Sequence, residues 1–451
     1  MDAVDKLFDG KGWIAVYGAG YVGLALMAVY LRKGLKVIGV DIDPSKLEEI
    51  KQGAQNVIEE KIKEAVRMGV EENRLLLTTD GVRASADSIV KVVTVPVYLD
   101  WITKDVNYDS WIAAMKDIGE GLKEGDLVII ESSVPPGSTE YKAKPVLEEA
   151  SRLIAGRDFY LAYSPERVYI GRAVEDIEER YPKVVSGIGE KSLELASKLY
   201  EKIARKGVIR VSRPMTAEFE KLAEGVYRDV NIALANELAL AAMNLGVDFY
   251  EAREAANTQP YSHIHFPGPG VGGYCIPIYP YYLVNSLLER KHVMKLTITG
   301  RQINENMPLT IINLLENYRR KIGIPQSSKV ALLGVAFRGN VDDTRLSPTH
   351  DILGLLKARG YQEIIVHDPY VKHDPILENL HIPLTGSLRE ALENAEIILI
   401  LTRHSQYKNL TTTNIKEITG RENPLIIDTT TYIKNNGNYK NIITLGKPHN
   451  L

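Results

Sequence analysis

The chain of 451 residues has one cysteine, Cys275. A single thiol excludes an intrachain disulfide and any Cys-rich metal site. It fits a reducing, cytoplasmic setting. An excess of either charge is also missing: 55 Lys and Arg stand against 58 Asp and Glu, a formal −3. That balance gives no reason to expect nucleic acid or an anionic membrane as a partner. No apolar run is long enough to span a bilayer. The first residues, Met1-Asp-Ala-Val-Asp-Lys6, lack the basic stretch and apolar segment of a signal peptide, so none is expected. His263 and His265 stand close together without partner ligands at metal spacing, and no metal is expected. Low-complexity segments and short repeats are absent too.

What is present begins at Trp13-Ile-Ala-Val-Tyr17, a short apolar run that predicts a buried parallel strand. It enters Gly18-Ala-Gly20-Tyr21-Val22-Gly23, then a helical stretch to Lys33-Gly34, then a second strand, Lys36-Val-Ile-Gly-Val40, closed by Asp41. This is G-x-G-x-x-G in the setting its chemistry requires. Gly18 permits the tight turn, Gly20 lets a pyrophosphate approach, and Gly23 lets helix pack on strand. The helix N-terminus offers free N–H groups to phosphate. Asp41 stands where a carboxylate accepts hydrogen bonds from the adenosine ribose, and its charge opposes a 2′-phosphate. The expected cofactor is therefore NAD rather than NADP.

Further strands are expected at 89–95, 127–130, 159–162 and 183–186, separated by helices such as 45–52 and 140–152. Such alternation predicts a parallel, doubly wound sheet over a first domain, residues 1–210. A long helix is expected from Thr216, as N-cap with Glu218 in the first turn, to Gly246. Lys221, Gly225, Arg228 and Asn231 fall near one face of it. Its apolar positions, among them Leu222, Val226, Val230, Leu234 and Leu238, cover more than a narrow stripe, as in a helix buried on several sides. Helical segments continue through a central part, 211–320. A third part, 321–451, repeats the first in outline, with strands at 329–334, 363–368, 396–402 and 424–428 and a helix at 349–359. Its first turn, Gly334-Val-Ala-Phe337-Arg338, lacks the glycine triad and suggests a different ligand. The expected fold is α/β, two doubly wound Rossmann-like domains joined by a long central helix and a helical domain.

Cys275 lies in Pro267-Gly-Pro-Gly-Val-Gly272-Gly273-Tyr-Cys275-Ile-Pro277. A lone thiol is often a small buried hydrophobe. After clustered glycines, in a chain with a redox cofactor site, it also reads as a nucleophile placed where backbone approaches a ligand.

Taken in order along the chain, these motifs resemble the nucleotide-sugar 6-dehydrogenase family, which includes the UDP-glucose, UDP-N-acetylglucosamine and UDP-N-acetylmannosamine dehydrogenases. The resemblance rests on Gly18–Gly23, Val40-Asp-Ile-Asp43, Glu131-Ser-Ser133-Val-Pro-Pro-Gly137, Ser164-Pro-Glu166-Arg167-Val168, Ala217-Glu…Lys221-Leu, Gly270-Val-Gly-Gly-Tyr-Cys275 and Gly334-Val-Ala-Phe…Asp342-Asp-Thr-Arg345-Leu-Ser-Pro348. Ser-Pro-Glu-Arg-Val is similar to the N-acetylhexosamine branch, where the UDP-glucose branch has Pro-Glu-Phe-Leu. The resemblance implies oxidation of the C6 alcohol of a UDP-sugar to a carboxylate with two NAD. Cys275 would form a thiohemiacetal and then a thioester, Lys221 would stabilise the oxyanion, Ser133 would hydrogen-bond the reacting oxygen or its water, and Glu166 would serve thioester hydrolysis. Lys46 and Arg345 would reach the cofactor. Arg167, Arg228, Asn231, Gly272, Gly273, Phe337 and Arg338 would line the sugar nucleotide. It further implies an NAD-binding domain at 1–210, a dimerisation domain with the cysteine loop at 211–320, a UDP-sugar-binding domain at 321–451, and a homodimer through the central helix.

Four positions depart from the family pattern. Gly225 stands where an Asn is usual, Tyr279 where an Asp follows the cysteine, Arg338 where a Lys is usual, and Thr430 closes Asp428-Thr-Thr430 in place of Arg. Tyr279 can donate a hydrogen bond but is no carboxylate base. The alternatives are the same chemistry on UDP-glucose, and a non-catalytic UDP-sugar-binding homologue.

Overall fold

The computed structural model describes residues 1–54, 57, 59–288, 290–435 and 439–449. The chain divides into two units, Met1–Ala223 with Tyr281–His292, and Glu224–Pro280 with Val293–Leu451. The first unit is built on an eight-stranded sheet. Its strands lie in the spatial order Val208–Arg210, Lys183–Gly187, Tyr160–Tyr163, Leu127–Ile130, Val90–Val93, Trp13–Tyr17, Lys36–Val40 and Leu75–Thr78. The central strands are four- or five-residue runs, apolar apart from the buried Lys91, and buried on both faces, as helices cover both sides of a parallel sheet. Strand order reverses beside Trp13–Tyr17, which pairs with Lys36–Val40 on one side and Val90–Val93 on the other. Ligands of such sheets bind at the carboxyl ends of the strands at this switch point.

The expected all-parallel sheet needs correction at one edge. Tyr160–Tyr163 and Lys183–Gly187 pair antiparallel, and Val208–Arg210 then runs parallel to the latter. Residues 164–182 return to the edge they left instead of crossing over, so no full crossover helix is needed. Lys183, the first residue of the reversed strand, therefore enters at the carboxyl edge of its neighbours.

The central helix runs Pro214–Leu245, starting two residues before the expected Thr216 cap. Proline at a first helical position has its φ preset and lacks an N–H that would have no intrahelical partner; Thr216 lies inside the helix. The segment expected as one helix from 140 opens with a π-helical turn, Thr139–Ala143, before Lys144–Ser151. Within the second unit the central helix buries Ala233, Ala235, Asn236 and Ala239 and exposes Tyr227, Leu234, Leu238 and Leu245.

The second unit has a six-stranded, wholly parallel sheet. Its order is Leu384–Thr385, Ile364–His367, Val330–Leu333, Ile397–Ile400, Leu425–Asp428 and Ile442–Thr444. The first and last of these strands are too short and too mixed in composition to stand out in sequence. The 28-residue helix Lys295–Ile322 ends in a left-handed glycine, Gly323. No helix among the described residues is long and apolar enough to cross a membrane.

Candidate active site

In the first unit, the turn after Trp13–Tyr17 is shaped by glycine. Gly18 has φ +95°, in the region that favours glycine. A Cβ at Gly23 would sit 1.8 Å from the Gly18 carbonyl oxygen, so only glycine lets this helix start pack so closely. Gly20 is the helix N-cap, makes no side-chain cap, and has open space where its Cβ would be. Asp41 Oδ2 accepts the Ala19 N–H at 2.8 Å and the Lys46 ammonium at 3.1 Å. One carboxylate thus braces the turn from the end of the second strand and holds Lys46 beside it. Val22 packs against the core. The Tyr21 hydroxyl donates to Glu59 at 2.9 Å and accepts the Gly171 N–H. Glu59 also accepts the N–H groups of Ala173 and Val174, at 2.7 and 2.9 Å. The glycine turn is thereby tied to the loop that follows Ser-Pro-Glu-Arg. An open Gly20, an uncapped helix start and a carboxylate at the strand end together fit an adenine dinucleotide.

Two strands along, Leu127–Ile130 leads into Glu131-Ser-Ser133. The Ser132 hydroxyl donates to the Val95 carbonyl at 2.7 Å, fixing the loop, and Ser133 is half-buried beside it. The loop is pinned again at its far end. Glu218, fully buried on the central helix, accepts the N–H groups of Gly137 and Thr139, the latter at 2.8 Å. Burial pushes Glu218 up to about 7 against these two donors. Lys221 follows one turn later, half-buried on the same helix.

Glu166 lies at the carboxyl edge of the same sheet, and its side chain turns inward. Lys183 reaches it and Glu131 together, at 2.6 Å from Glu131. All three side chains are buried, and the Tyr200 hydroxyl donates to Glu131. Burial opposes the charge of Lys183, but its two carboxylates outweigh it and hold the ammonium above its ordinary range. Burial likewise opposes Glu166, and Lys183 outweighs it, so this carboxyl is held low. Glu131 goes the other way: burial pushes it up to about 7 despite Lys183. Arg167 donates its backbone N–H to Glu166 at 2.8 Å. Its guanidinium donates to the Pro182 carbonyl and lies 3.8 Å from Glu220.

The second unit carries the thiol. Cys275 is exposed, at the end of a glycine loop braced from behind. A Cβ at Gly272 would meet the Leu346 carbonyl and the Phe337 Cβ, each at 2.6 Å. Gly273, at φ +85°, packs on the Phe337 ring and donates its N–H to the Arg345 carbonyl at 2.8 Å. Arg345 pairs with Asp343, Nε to Oδ1 at 2.8 Å, and lies 4.8 Å over the Tyr274 ring. Its charge is favoured chiefly by Asp343 and to a lesser degree by Tyr274 and Cys275, which places a fixed cation near the thiol. Arg338 is half-buried. Asn231 is occupied in shaping the loop: it donates to the His263 carbonyl at 2.9 Å and accepts the His265 N–H at 3.0 Å. Arg228 lies near enough to His265 to join burial in lowering its pKa.

Two departures from the family pattern are one event. A Cβ at Gly225 would lie 2.4 Å from the Tyr279 ring. Tyr279 is buried and starts the helix Tyr279–Ser286, its N–H donating to the Cys275 carbonyl at 3.0 Å. The ring of Tyr279 fills the space that any side chain at 225 would take.

The second sheet has a turn that imitates the dinucleotide turn and closes it. The N–H groups of Val335 and Ala336 donate to Asp368 Oδ2 at 2.9 and 3.0 Å. His404 Nε2 lies 3.0 Å from the same oxygen. The anion site of this turn is filled by the protein's own carboxylate.

The first unit thus holds Gly18, Gly20, Tyr21, Val22, Gly23, Asp41, Lys46, Ser133, Glu166, Arg167 and Lys221, and the second holds Arg228, Asn231, Gly272, Gly273, Cys275, Phe337, Arg338 and Arg345. The sequence gives Lys183 and Glu59 no site role, and it marks Asp343 only within the Asp342-Asp-Thr-Arg345 motif and Asp368 only as the acid that closes a strand. Lys183 is there only the first residue of the strand expected at 183–186.

Residues 13–204 match the NAD binding domain of the UDP-glucose/GDP-mannose dehydrogenase family, 215–306 its central domain, and 331–435 its UDP binding domain. The chain is similar to a UDP-N-acetyl-D-mannosamine dehydrogenase of Methanocaldococcus jannaschii, 37% identical over 95% of this chain and 94% of that one. It is similar to the solved structure of the Pyrococcus horikoshii UDP-D-ManNAc dehydrogenase, with TM-score 0.87 and 35% identity over 96% of this chain and 99% of that one. It is also similar to an NDP-N-acetyl-D-galactosaminuronic acid dehydrogenase structure from Methanosarcina mazei, with TM-score 0.82 and 29% identity over 99% and 98%.

Proposed function

Since the chain belongs to the UDP-glucose/GDP-mannose dehydrogenase family, we propose that it oxidises the C6 hydroxyl of a UDP-N-acetylhexosamine to the uronate, with UDP-N-acetylmannosamine as the first candidate and UDP-N-acetylglucosamine as the second. Three parts divide the work: 1–210 hold NAD, 211–320 carry the cysteine loop and the dimer contact, and 321–451 hold the UDP-sugar. Gly18, Gly20, Tyr21, Val22, Gly23, Asp41 and Lys46 would hold the dinucleotide. Bound NAD supplies a two-electron acceptor for each oxidation. Gly272, Gly273, Phe337 and Arg338 are assigned to the sugar nucleotide, with Arg228 and Arg167 as cations.

Lys221 supplies positive charge where the C6 oxygen becomes an alkoxide, and Ser133 a hydrogen bond to that oxygen. Cys275 Sγ bonds to the C6 aldehyde carbon, which keeps the aldehyde on the enzyme as a thiohemiacetal. Its oxidation gives a thioester. Glu166 takes a proton from the water that cleaves it. The observation carrying this reading is the exposed Cys275 thiol at the end of a loop held rigid by Phe337, Leu346 and Arg345. A non-catalytic homologue would need no such thiol, and the mutual fit of Gly225 and Tyr279 gives both substitutions a packing reason.

The test is NADH formation by the purified chain across a panel of UDP-sugars. Two NADH per sugar with UDP-N-acetylmannosamine or UDP-N-acetylglucosamine, and far less with UDP-glucose, is the expected result. Comparable turnover on UDP-glucose moves the assignment to that sugar, and no turnover on any of them overturns it.

A homodimer across the central helix belongs to the same reading, as does a cytoplasmic setting. Its support is the exposed row Tyr227, Leu234, Leu238 and Leu245, spaced 7, 4 and 7 residues apart on one helix face. Leu238→Glu should yield a monomer by light scattering; a dimer unaffected by it removes the helix from the interface.

A further inference from the structure

Behind Glu166 lies a group of buried titratable side chains that the reaction as described does not use. Lys183 contacts two carboxylates through one ammonium nitrogen, Glu131 at 2.6 Å and Glu166, so the two carboxyl groups share one cation. The parts arrive from three elements. Glu131 ends the strand Leu127–Ile130, Glu166 follows Tyr160–Tyr163, and Lys183 opens the antiparallel strand Lys183–Gly187. The reversed strand is the reason an ammonium stands at this edge. Tyr200, from the helix Glu190–Glu201, donates to Glu131, and Lys183 lies 5.0 Å over its ring. Tyr30, from the helix Tyr21–Arg32, and Tyr163, from the strand beside Glu166, are the other titratable groups facing Glu131. All are buried.

Three charges of this kind cannot all be satisfied away from water. With both carboxylates ionised the group carries a net −1, and two carboxyls sharing one site resist simultaneous ionisation. One proton is therefore at home in it. A purely structural ion pair would need one lysine and one carboxylate; the second carboxyl, held on the same ammonium, gives the proton somewhere to go.

We propose that Lys183 and Glu131 are positioning residues for Glu166: Lys183 holds Glu166 as a carboxylate, and Glu131 receives the proton Glu166 takes during thioester hydrolysis. The water oxygen bonds to the thioester carbonyl carbon, one water proton moves to a Glu166 carboxylate oxygen, and the C–S bond breaks with its electron pair on the Cys275 sulfur. The Glu166 proton then passes to Glu131, leaving Glu166 ionised and Glu131 neutral. No oxidant or reductant enters. The inference rests on the dehydrogenase reading and fails separately from it.

The experiment uses Glu131→Gln and Lys183→Arg in the full chain, with NAD and UDP-N-acetylmannosamine at saturation and kcat followed from pH 6 to 9. For the wild type, kcat rises with pH across the neutral range, since Glu131 must be ionised to receive the proton. In Glu131→Gln that rise is lost and kcat falls at least tenfold, while the dissociation constant of NAD changes less than twofold. Lys183→Arg keeps the cation, retains more activity than Glu131→Gln, and displaces the rise along the pH axis. A Glu131→Gln enzyme with kcat within twofold of wild type and an unchanged pH profile overturns the proposal and leaves the dehydrogenase reading intact. A wild type that makes no NADH from any UDP-sugar overturns both. If Glu131→Gln does not fold, Lys183→Arg decides: a rise at the wild-type pH overturns the proposal.

Discussion

Cys275 is the single thiol and it is exposed, so chemistry aimed at thiols reports on one atom. Cys275→Ser should lose net formation of the acid by on the order of 10³-fold or more while still binding NAD and the UDP-sugar, because a hydroxyl lacks the thiolate's nucleophilicity. Iodoacetamide should inactivate the wild type, and UDP-sugar should slow the reaction. An alkylated enzyme with full turnover would sink the nucleophile assignment. Gly225 and Tyr279 make a second residue-level test. Restoring the family's Asn at 225 alone drives its side chain into the Tyr279 ring, where a Cβ already falls at 2.4 Å. Gly225→Asn should therefore cost about 1–3 kcal/mol, the range for overpacking a filled site. Adding Tyr279→Asp should recover most of that loss, since the two positions are in contact and their effects are coupled. Denaturant unfolding of the two single variants and the double variant checks it, and additive effects would show that the two positions are independent.

At the level of elements, the start of the central helix matters because it carries Lys221 and is bolted to the Ser133 loop by Glu218. That bolt is sensitive to pH. The folded pKa of Glu218 is raised to about 7 by burial, above the 4.5 of a free glutamate. Protonated Glu218 suits the fold, so its contribution is fully present below the unfolded pKa. It is lost as pH rises through the folded pKa, across a window of about 4.5 to 7. By linkage the change amounts to roughly 3 kcal/mol at most. Glu218→Gln cannot ionise, yet its amide replaces by an NH2, which cannot accept, one of the two oxygens that each meet an N–H. The variant should be less stable than wild type at pH 5 and close the gap by pH 7.5, as read from thermal unfolding. Two parallel stability curves would refute the assigned ionisation. Glu218 also shows what the local sequence conveys: a glutamate in a first helical turn signals a helix start, and the loop it holds, some eighty residues earlier, is invisible there.

Over the whole molecule, what was legible in sequence is what is local in space. Trp13–Tyr17, Gly18 to Gly23 and Asp41 form one continuous βαβ unit, and the bond that shapes the turn, Asp41 to the Ala19 N–H, joins residues close in the chain. The apolar strands of both sheets are visible for the same reason. What was not legible depends on how distant segments meet. The antiparallel entry of Lys183, and hence its pairing with Glu131 and Glu166, follows from the path of residues 164–182 and leaves no periodicity. The contact of Gly225 with Tyr279 spans the cysteine loop. The second sheet is the sharpest case. Gly334-Val-Ala336 follows an apolar strand and is followed by Asp368 at the end of the next, so by outline it repeats the dinucleotide turn. Its difference is that Asp368 bonds the N–H groups of Val335 and Ala336, whereas Asp41 takes the Ala19 N–H from its turn, with Lys46 on the same oxygen, and Gly20 stays open. His404 beside Asp368, with the backbone donors, outweighs burial and holds that carboxyl below its ordinary range, so it stays an anion where a phosphate would have to bind. NAD should accordingly protect amides of residues 18–23 from hydrogen exchange and leave those of 334–337 unchanged, while UDP should act on the second unit. Asp41→Ala should weaken NAD by about tenfold, the worth of one hydrogen bond to a charged group, and narrow the preference over NADP. Protection by NAD at 334–337, or a wild type that prefers NADP, would show that the wrong one of two similar turns was read as the cofactor site.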